Sequence, residues 1–346
     1  MVINATERFL KPIIQRPRSR YFSMHATIVS LLICLLFYIG CQKKNENVIV
    51  CTDDHPAWSP TGRYIAYYHD PTDIEIPDIT ASEVLYSANM LLWVDCSPYR
   101  DIEKDTLPGI WLMDLDTMHS QFLTEGRLPD WSPDGQWIVY VKDADIHKIH
   151  IETKEIDQLT TWGSSFFPDW APSGERIAFD TDHNDPQGAK VIWLMDTNGT
   201  NLRDISIHGI GEWRQPEWSP TNENIVHIRY MAGVPFREIF LMDSSGQNSV
   251  RLTDNLVDDH CPAWSPDGSK IAYVSDRDRR RNIYVIDTSV QNEVQLTDVD
   301  WATDPAWSPD GSQIVFSQWD ERTKAKSLWV MNSDGSGKIR ITWPDN

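Results

Sequence analysis

The sequence predicts an all-β fold, a six-bladed β-propeller of four-stranded antiparallel blades, from three observations. A Pro-x-Trp phrase occurs six times, most completely as Pro-Ala-Trp-Ser-Pro-Asp-Gly at 262–268 and 305–311. Apart from one longer gap, the copies lie 39 to 48 residues apart, and a repeat of about 40 to 50 residues is typical of propellers and solenoids. Each copy forms the first of four strand-like segments, and four antiparallel strands make up one propeller blade. The repeat tryptophans are Trp58, Trp131, Trp170, Trp218, Trp264 and Trp307.

The elements of one unit follow from its residue pattern. The Pro-x-Trp segment predicts the first strand, and Ser-Pro-Asp-Gly predicts a tight turn in which proline fixes one dihedral and glycine permits a positive φ. Alternating apolar residues predict the second strand, as at 270–275, and the third, as at 282–287. The fourth strand ends in Leu-Thr, for example Leu296-Thr297. We assign the repeat tryptophans to the core.

The first unit differs from the others because it contains an insertion, residues 69–108. Within it, Thr-Ala-Ser-Glu at 80–83 resembles a helix capping box and precedes an apolar run. The insertion is therefore either a short helix packed on one face of the disc or an irregular loop. Ring closure also has two solutions: segment 338–342 or segment 48–50 supplies the strand that closes the ring, and the other adds a fifth strand or caps an edge.

Residues 1–40 are predicted to be a signal peptide of the lipoprotein type. Their last fifteen residues are almost wholly apolar and follow a basic segment, which suits a signal-peptide hydrophobic region better than a membrane span. The run ends in Tyr-Ile-Gly-Cys, which resembles a bacterial lipobox, although Tyr38 stands where leucine is usual. Cys41 is therefore the predicted lipidation site, and residues 41–47 link it to the propeller at 48–346.

An uncleaved anchor helix is the alternative for this segment, and Met24 is an alternative start. A lipoprotein signal peptide and an uncleaved anchor helix would both export the propeller and tether it to a membrane. The exported part then keeps Cys51, Cys96 and Cys261, so at least one thiol is unpaired in a monomer, while export permits a disulfide. Cys51 and Cys96 both belong to the first repeat, but the sequence leaves the pairing open.

Charge and motif content argue against several functional classes. The formal net charge is -20, and such an acidic surface repels the phosphates of nucleic acids. A basic partner would be favoured electrostatically, although solubility alone also accounts for the charge. The Gly-x-Ser-x-Gly motif of serine hydrolases does not occur in the sequence, and we assign no catalytic residues.

The repeat prolines locate the channel mouth, because the loop that leads into each innermost strand lies on one face of a propeller. The residues directly before the prolines are His55, Leu128, Phe167, Gln215, Cys261 and Asp304, and those one position earlier are Asp54, Arg127, Phe166, Arg214, His260 and Thr303. From these rings and the adjacent aromatic and acidic residues, we predict a site for a ligand or partner. It comprises Asp54, His55, Trp162, Phe167, Trp213, Arg214, Gln215, Asp259, His260, Trp301 and Asp304.

The imidazole, carboxylate and indole groups of this mouth have two interpretations. His55 and His260 are candidates for a divalent metal, which needs three or four convergent ligands. They could instead fix the loops through hydrogen bonds, so we predict no cofactor. Trp162, Trp213 and Trp301 are either anchors that stack on sugars or peptide side chains, or wedges between blades.

These repeat motifs together resemble the TolB-type propeller repeat, a WD-like family, over nearly all of the chain from about residue 48. Full TolB proteins also carry an α/β domain ahead of the propeller, and the short segment 42–47 suggests that this domain is missing here. TolB-like proteins receive an extended peptide of a lipoprotein partner at the channel mouth. The resemblance thus implies a lipid-anchored scaffold of the cell envelope that recognises a protein or peptide, and the acidic charge argues against nucleic acid as a partner.

The same resemblance supplies an alternative function. Some TolB-like propellers are lyases that use histidine-bound manganese to cleave oligogalacturonate. A carbohydrate-active enzyme or glycan-binding propeller, with a metal at the Asp and His residues of the mouth, is therefore the second hypothesis.

Overall fold

The computed structural model describes residues 48–74, 107–185, 188–206, 211–231, 233–289, 292–299, 301–321 and 324–342. These ranges confirm the predicted all-β fold: their strands form six four-stranded antiparallel sheets. Their only helix is a single 3₁₀ turn, Arg277–Arg279, and no described helix is long and apolar enough to cross a membrane. The predicted signal peptide, the lipidation site Cys41 and the helix suggested within the insertion lie outside the described residues.

Each blade contains four strands that are consecutive in the chain, beginning at the channel. Blade 1 contains β1 (Val48–Trp58), β2 (Tyr64–Ile74), β3 (Gly109–Asp114) and β4 (His119–Thr124); blade 2 contains β5 (Arg127–Trp131), β6 (Trp137–Lys142), β7 (Asp145–His150) and β8 (Ile156–Gln158); blade 3 contains β9 (Ser165–Trp170), β10 (Arg176–Thr181), β11 (Val191–Asp196) and β12 (Arg203–Asp204).

The second half of the chain repeats this order. Blade 4 contains β13 (Glu212–Trp218), β14 (Asn224–Tyr230), β15 (Arg237–Asp243) and β16 (Val250–Arg251); blade 5 contains β17 (Asp259–Trp264), β18 (Lys270–Ser275), β19 (Asn282–Asp287) and β20 (Glu293–Gln295); blade 6 contains β21 (Ala302–Trp307), β22 (Gln313–Asp320), β23 (Ala325–Asn332) and β24 (Ile339–Arg340).

The ring closes without the exchange of a strand between blades 1 and 6. Strand β24 pairs with β23 and completes blade 6, whereas Val48 extends β1 and pairs with Ile74 of β2. The second strand thus continues beyond Tyr68, where the sequence pattern ended it, so the insertion begins later than predicted. Strand β1 contacts both β5 and β21, which makes the six innermost strands a closed circle. At the seam between blades 1 and 6, Ile65 packs in one cluster with Leu328.

The core consists of one hydrophobic cluster at each of the six blade interfaces. The repeat tryptophans belong to these clusters, as predicted: Trp264 of blade 5 packs with Val226 and Ile228 of blade 4. Its indole Nε1 also donates a hydrogen bond to the Glu217 carbonyl oxygen, at 3.2 Å. The equivalent indole of Trp131 donates to a carbonyl oxygen of blade 1. Each phrase therefore joins its own blade to the preceding one.

The Leu-Thr motif has a structural role that the sequence pattern did not reveal. In blade 5, the buried Thr297 hydroxyl accepts a 2.8 Å hydrogen bond from the Ile283 amide at the start of β19. The same hydroxyl donates to the Asn282 side-chain oxygen, at 2.9 Å. Equivalent amide-to-hydroxyl bonds are formed by Thr160, Thr253 and Thr342 in blades 2, 4 and 6. The threonine therefore links the start of the third strand to the residues that follow the fourth strand.

Replacing this hydroxyl should destabilise the propeller. We predict that Thr297→Val lowers the free energy of unfolding in urea by about 1–3 kcal/mol, because it leaves the buried Ile283 amide without an acceptor. The control is Thr200→Val, in an exposed turn where the hydroxyl bonds only its local neighbour Asn198, and it should change stability by less than about 0.5 kcal/mol. Equal losses in the two variants would contradict this role.

Candidate functional site

The residue before each repeat proline adopts a left-handed backbone conformation in all six blades. These residues are His55, Leu128, Phe167, Gln215, Cys261 and Asp304, with φ between 50° and 56°. The pairing of the first strand with the second shifts at this point in every blade, as in a β-bulge. Positive φ is uncommon for residues other than glycine, so its recurrence at six equivalent positions is a property of the repeat.

These six side chains line a central cavity of about 270 Å³. Each is followed by the proline of its repeat and by the next residue of Pro-x-Trp, which also line the cavity. Leu128 and Phe167 form an apolar arc on blades 2 and 3. The other four form a polar arc on blades 4, 5, 6 and 1. The mouth therefore has two chemically different walls, and four of the predicted residues, His55, Phe167, Gln215 and Asp304, lie in it.

Neighbouring members of the polar arc are joined by hydrogen bonds. The Gln215 side-chain oxygen accepts from the Cys261 amide at 3.0 Å, and Cys261 Sγ lies 3.5 Å from Asp304 Oδ1. Burial and the adjacent Asp304 carboxylate raise the pKa of Cys261, so this thiol stays protonated near neutral pH. The side chains of blades 4, 5 and 6 are thus held in fixed positions around the channel.

Four charged groups meet at the seam between blades 1 and 6. His55 Nδ1 lies 2.6 Å from Asp54 Oδ1, and His55 Nε2 lies 3.7 Å from Asp304 Oδ1. Lys326 Nζ lies 3.1 Å from Asp54 and 3.6 Å from Asp304. Burial opposes charge on His55, yet the Asp304 and Asp54 carboxylates outweigh it and raise the pKa of His55. Burial likewise opposes ionisation of Asp54 and Asp304, but His55 and Lys326 lower the pKa of both carboxyls.

Three carboxyl groups line the channel at the middle position of Pro-x-Trp. Each accepts a hydrogen bond from the tryptophan amide of the next blade: Asp130 from Trp170 (2.8 Å), Asp169 from Trp218 (2.7 Å) and Glu217 from Trp264 (2.9 Å). Burial raises the pKa of Asp130 to about 7 and that of Glu217 to about 8. Burial and the charges of the other two carboxyls also raise the pKa of Asp169. These carboxyl groups link neighbouring blades, so a structural role accounts for them and no ligand is needed to explain them.

Two of the predicted site residues are buried away from the channel. Trp213 is 0% exposed, stacks on His227 with ring centroids 4.6 Å apart, and packs at the interface of blades 3 and 4. Asp259 is also 0% exposed, and its carboxylate accepts a hydrogen bond from Asn255. Both stand three residues before a repeat proline, and both side chains are enclosed by the protein. Their contacts correspond to packing rather than to ligand binding.

The remaining predicted residues do not line the cavity. Arg214 Nε lies 4.0 Å from Asp180, and His260 lies between Cys261 Sγ, at 3.2 Å, and Asp276, at 3.4 Å. Trp162 stacks on His183, with centroids 4.1 Å apart. Trp301 is 43% exposed, and Arg281 lies 4.6 Å above its ring. Of the three predicted tryptophans, Trp301 is thus the most accessible.

The two histidines proposed as metal candidates face different neighbours, His55 the seam and His260 the Asp276 carboxylate. Across the described ranges, no three His, Cys, Asp or Glu side chains form a group that could hold a metal ion.

A basic position at the mouth was missed by counting from the prolines. It lies two residues before the third-strand amide that donates to the hydroxyl after the fourth strand, which is Ser206 in blade 3 and a threonine in blades 4 to 6. This position is occupied by Lys190, Arg237, Arg281 and Lys326 in blades 3 to 6. Each forms an ion pair with an aspartate: Asp182, Asp258, Asp276 and Asp54, respectively. Counting back from Leu-Thr would have identified Arg237 and Arg281, whereas Ile205-Ser206 and Ile341-Thr342 replace the motif in blades 3 and 6.

Comparisons with known proteins agree with this architecture. The TolB beta propeller domain matches residues 259–346, a range that includes the strands of blades 5 and 6. An uncharacterized protein of Agrobacterium fabrum is 31% identical over 143 residues, and the match covers 37% of this chain and 49% of that relative. This chain therefore matches about half the length of that relative.

Solved structures share the fold at lower identity. TolB from Acinetobacter baumannii has a TM-score of 0.60 and 17% identity, with 80% of this chain and 75% of that chain covered. Oligogalacturonate lyase from Vibrio parahaemolyticus has a TM-score of 0.53 and 16% identity, with coverages of 84% and 78%. An oligogalacturonate lyase in complex with manganese gives the same TM-score at 17% identity, with the same coverages. Identities this low establish a common fold and leave function to the residues of the site.

The seam network predicts how stability depends on pH. The lowered pKa of Asp54 and Asp304 contributes stability that is present above the unfolded value of 3.8 and is lost as the pH falls. The raised pKa of His55 contributes stability that is present below 6.5 and is lost as the pH rises through the folded value. Both contributions are therefore complete between about pH 4 and 6.5.

His55→Gln should lower the free energy of unfolding at pH 5.5 by about 1–3 kcal/mol, since it removes charge-assisted hydrogen bonding. It should also remove much of the decline above about pH 6.5 in a series of urea unfolding curves. The control is His119→Gln, at an exposed position of β4, which should leave the profile unchanged. An unaltered decline in His55→Gln would contradict the seam assignment.

Proposed function

We propose that this TolB-like β-propeller repeat protein is an exported, lipid-anchored binding scaffold, and that its channel mouth takes up an extended segment of a protein partner. The observation that carries the proposal is the ring of six left-handed residues. Backbone strain of this type costs about 1–3 kcal/mol per residue and is concentrated at functional sites. Here it presents one side chain per blade to the cavity, and these side chains differ while the scaffold repeats.

The chemistry of the cavity suits a polypeptide. The apolar arc of Leu128 and Phe167 offers contacts to aliphatic side chains, and the polar arc offers an amide, a thiol, a carboxylate and an imidazole for hydrogen bonding. A cavity of about 270 Å³ accommodates a few side chains rather than a folded domain. The closed ring holds both arcs in place before binding, which reduces the entropic cost of association.

The proposed location of the propeller rests on the predicted signal peptide, residues 1–40. A lipoprotein signal ending at Cys41 would place the propeller outside the cytoplasm and attach it to a membrane, within reach of other envelope proteins. The extracytoplasmic location and the anchor are proposals that labelling of Cys41 with a lipid precursor can test, with Cys41→Ser as the unlabelled control.

A glycan-active propeller is the second candidate, and the exposure of the Trp301 side chain favours it. The solved oligogalacturonate lyases share the fold. If this function holds, purified protein should contain stoichiometric manganese or zinc that is lost in His55→Ala/His260→Ala, and it should cleave an acidic glycan in a substrate screen.

Photo-crosslinking in intact cells tests the peptide-binding proposal directly. We predict that benzoylphenylalanine in place of Phe167 captures one predominant polypeptide, because this side chain lines the channel. The matched control is the same amino acid at Met118, which is also left-handed and is 46% exposed, but stands in the turn between β3 and β4. Mass spectrometry of the crosslinked species measures the outcome. No capture at position 167, or the same products from both positions, would contradict channel binding.

A further inference from the structure

We infer that the segment bound at the mouth is acidic, and that Arg127 and Arg214 bind its carboxylates beside Phe166 and Phe167. This inference rests on the proposed function and adds the chemistry of the partner. It concerns an arc of the mouth on blades 2, 3 and 4, named here the arginine arc, which consists of Arg127, Phe166, Phe167 and Arg214.

The repeat places the two arginines on either side of an aromatic blade. Arg127 and Arg214 both stand two residues before the repeat proline, in blades 2 and 4, and Phe166 occupies the equivalent position of blade 3. The Arg127 guanidinium lies 5.7 Å from the Phe166 ring centroid, and Lys190 Nζ lies 4.6 Å from it. Two cationic side chains, Arg127 and Lys190, thus lie over the ring of one phenylalanine.

The two arginines of the arc, Arg127 and Arg214, are incompletely neutralised within the protein. Arg127 is exposed and has no ion-pair partner among the residues that the structure describes. Arg214 Nε lies 4.0 Å from Asp180 Oδ2, too far for a hydrogen bond, and that oxygen already accepts from the Gln215 amide at 3.0 Å. Burial raises the pKa of Asp180 to about 7, so its charge is only partial near neutral pH. Carboxylates of a ligand would therefore meet two guanidinium groups able to form charge-assisted hydrogen bonds.

The opposite wall of the mouth does not offer the same attraction. Asp54 and Asp304 hold Lys326 in ion pairs there, and the chain as a whole has a formal charge of -20. An acidic segment is repelled by most of this surface and is attracted at the arginine arc. Its apolar residues would then face Leu128 and Phe167 in the adjacent cavity. Charge and apolar contacts together favour a segment that combines carboxylates with hydrophobic side chains.

The geometry favours a peptide over an acidic sugar. A sugar ring stacks on an open aromatic face, but two cations already lie over the Phe166 ring. Phe167 in turn faces the His55 ring across the channel, with centroids 6.5 Å apart. Side chains of a peptide can enter between these rings without needing a flat platform.

Defined probes test the inference on the purified propeller. Fluorescence anisotropy would compare a labelled hexapeptide of alternating Glu and Phe with its Gln and Phe counterpart, at low and high salt. We expect the Glu peptide to bind at least tenfold more tightly at low salt and to lose this advantage as salt rises. Arg127→Ala/Arg214→Ala should abolish the tenfold difference, and Arg127→Ala alone, at an exposed position, should reduce it severalfold.

The control is Lys154→Ala/Lys270→Ala, which removes the same charge from exposed positions near the turns on the other side of the blades, and should preserve the difference. Four outcomes would overturn the inference: equal binding of the two peptides, no binding of the Glu peptide, an unchanged difference in the arginine variants, or preferential binding of hexagalacturonate.

Crosslinking from position 167 separates the failure of this inference from the failure of the proposed function. Capture that persists unchanged in Arg127→Ala/Arg214→Ala refutes the acidic partner alone, whereas absence of capture refutes channel binding itself.

Discussion

The left-handed residue before each repeat proline is the constraint on which the rest of this propeller depends. For an L-amino acid this conformation costs about 1–3 kcal/mol, and the chain adopts it at all six of these positions, at φ values within a few degrees of each other. The following proline has no amide hydrogen, so the bulge leaves one fewer backbone donor to satisfy. The bulge turns one side chain into the channel and lets the tryptophan two residues after the proline pack against the preceding blade.

One short phrase therefore performs two tasks in each blade. The proline, the tryptophan and the turn that follows are nearly constant and hold neighbouring blades together. The residue ahead of the proline is free to vary because its backbone position is already fixed. Asp130, Asp169 and Glu217 belong to the first task, since they bind the tryptophan amides of the next blades. The polar and apolar arcs belong to the second, and together with the arginine arc they distinguish this mouth from a uniform ring.

The fold could be predicted from the sequence because the repeat pattern recurs in register along the chain, and each strand pattern agrees with its turn. The site could be predicted only in part. Counting from the prolines identified His55, Phe167, Gln215 and Asp304, but it could not assign a direction to each side chain. In a strand, a displacement of one residue reverses the face to which a side chain points, and a bulge makes such a displacement. Trp213 and Asp259 point into their blades for this reason.

Other features depend on residues that are distant in sequence. Lys326 reaches Asp54 across the seam, and the two are 272 residues apart, so no local pattern indicates the pair. The closure of the ring was equally undetermined, because segments 48–50 and 338–342 both have strand character. Their pairing within blades 1 and 6 became clear only from the register of β1 with β2 and of β23 with β24.

Urea unfolding of Phe167→Gly and Phe167→Ala tests the central claim most directly. Both variants lose the ring, so their difference reports the backbone at this position. If the residue is left-handed, glycine relieves the strain and Phe167→Gly should be more stable than Phe167→Ala, by about 1 kcal/mol. At Phe166, where no positive φ occurs, the order should reverse, because glycine is the less stable residue in a strand. A Phe167→Ala protein as stable as Phe167→Gly, or more so, would contradict the account.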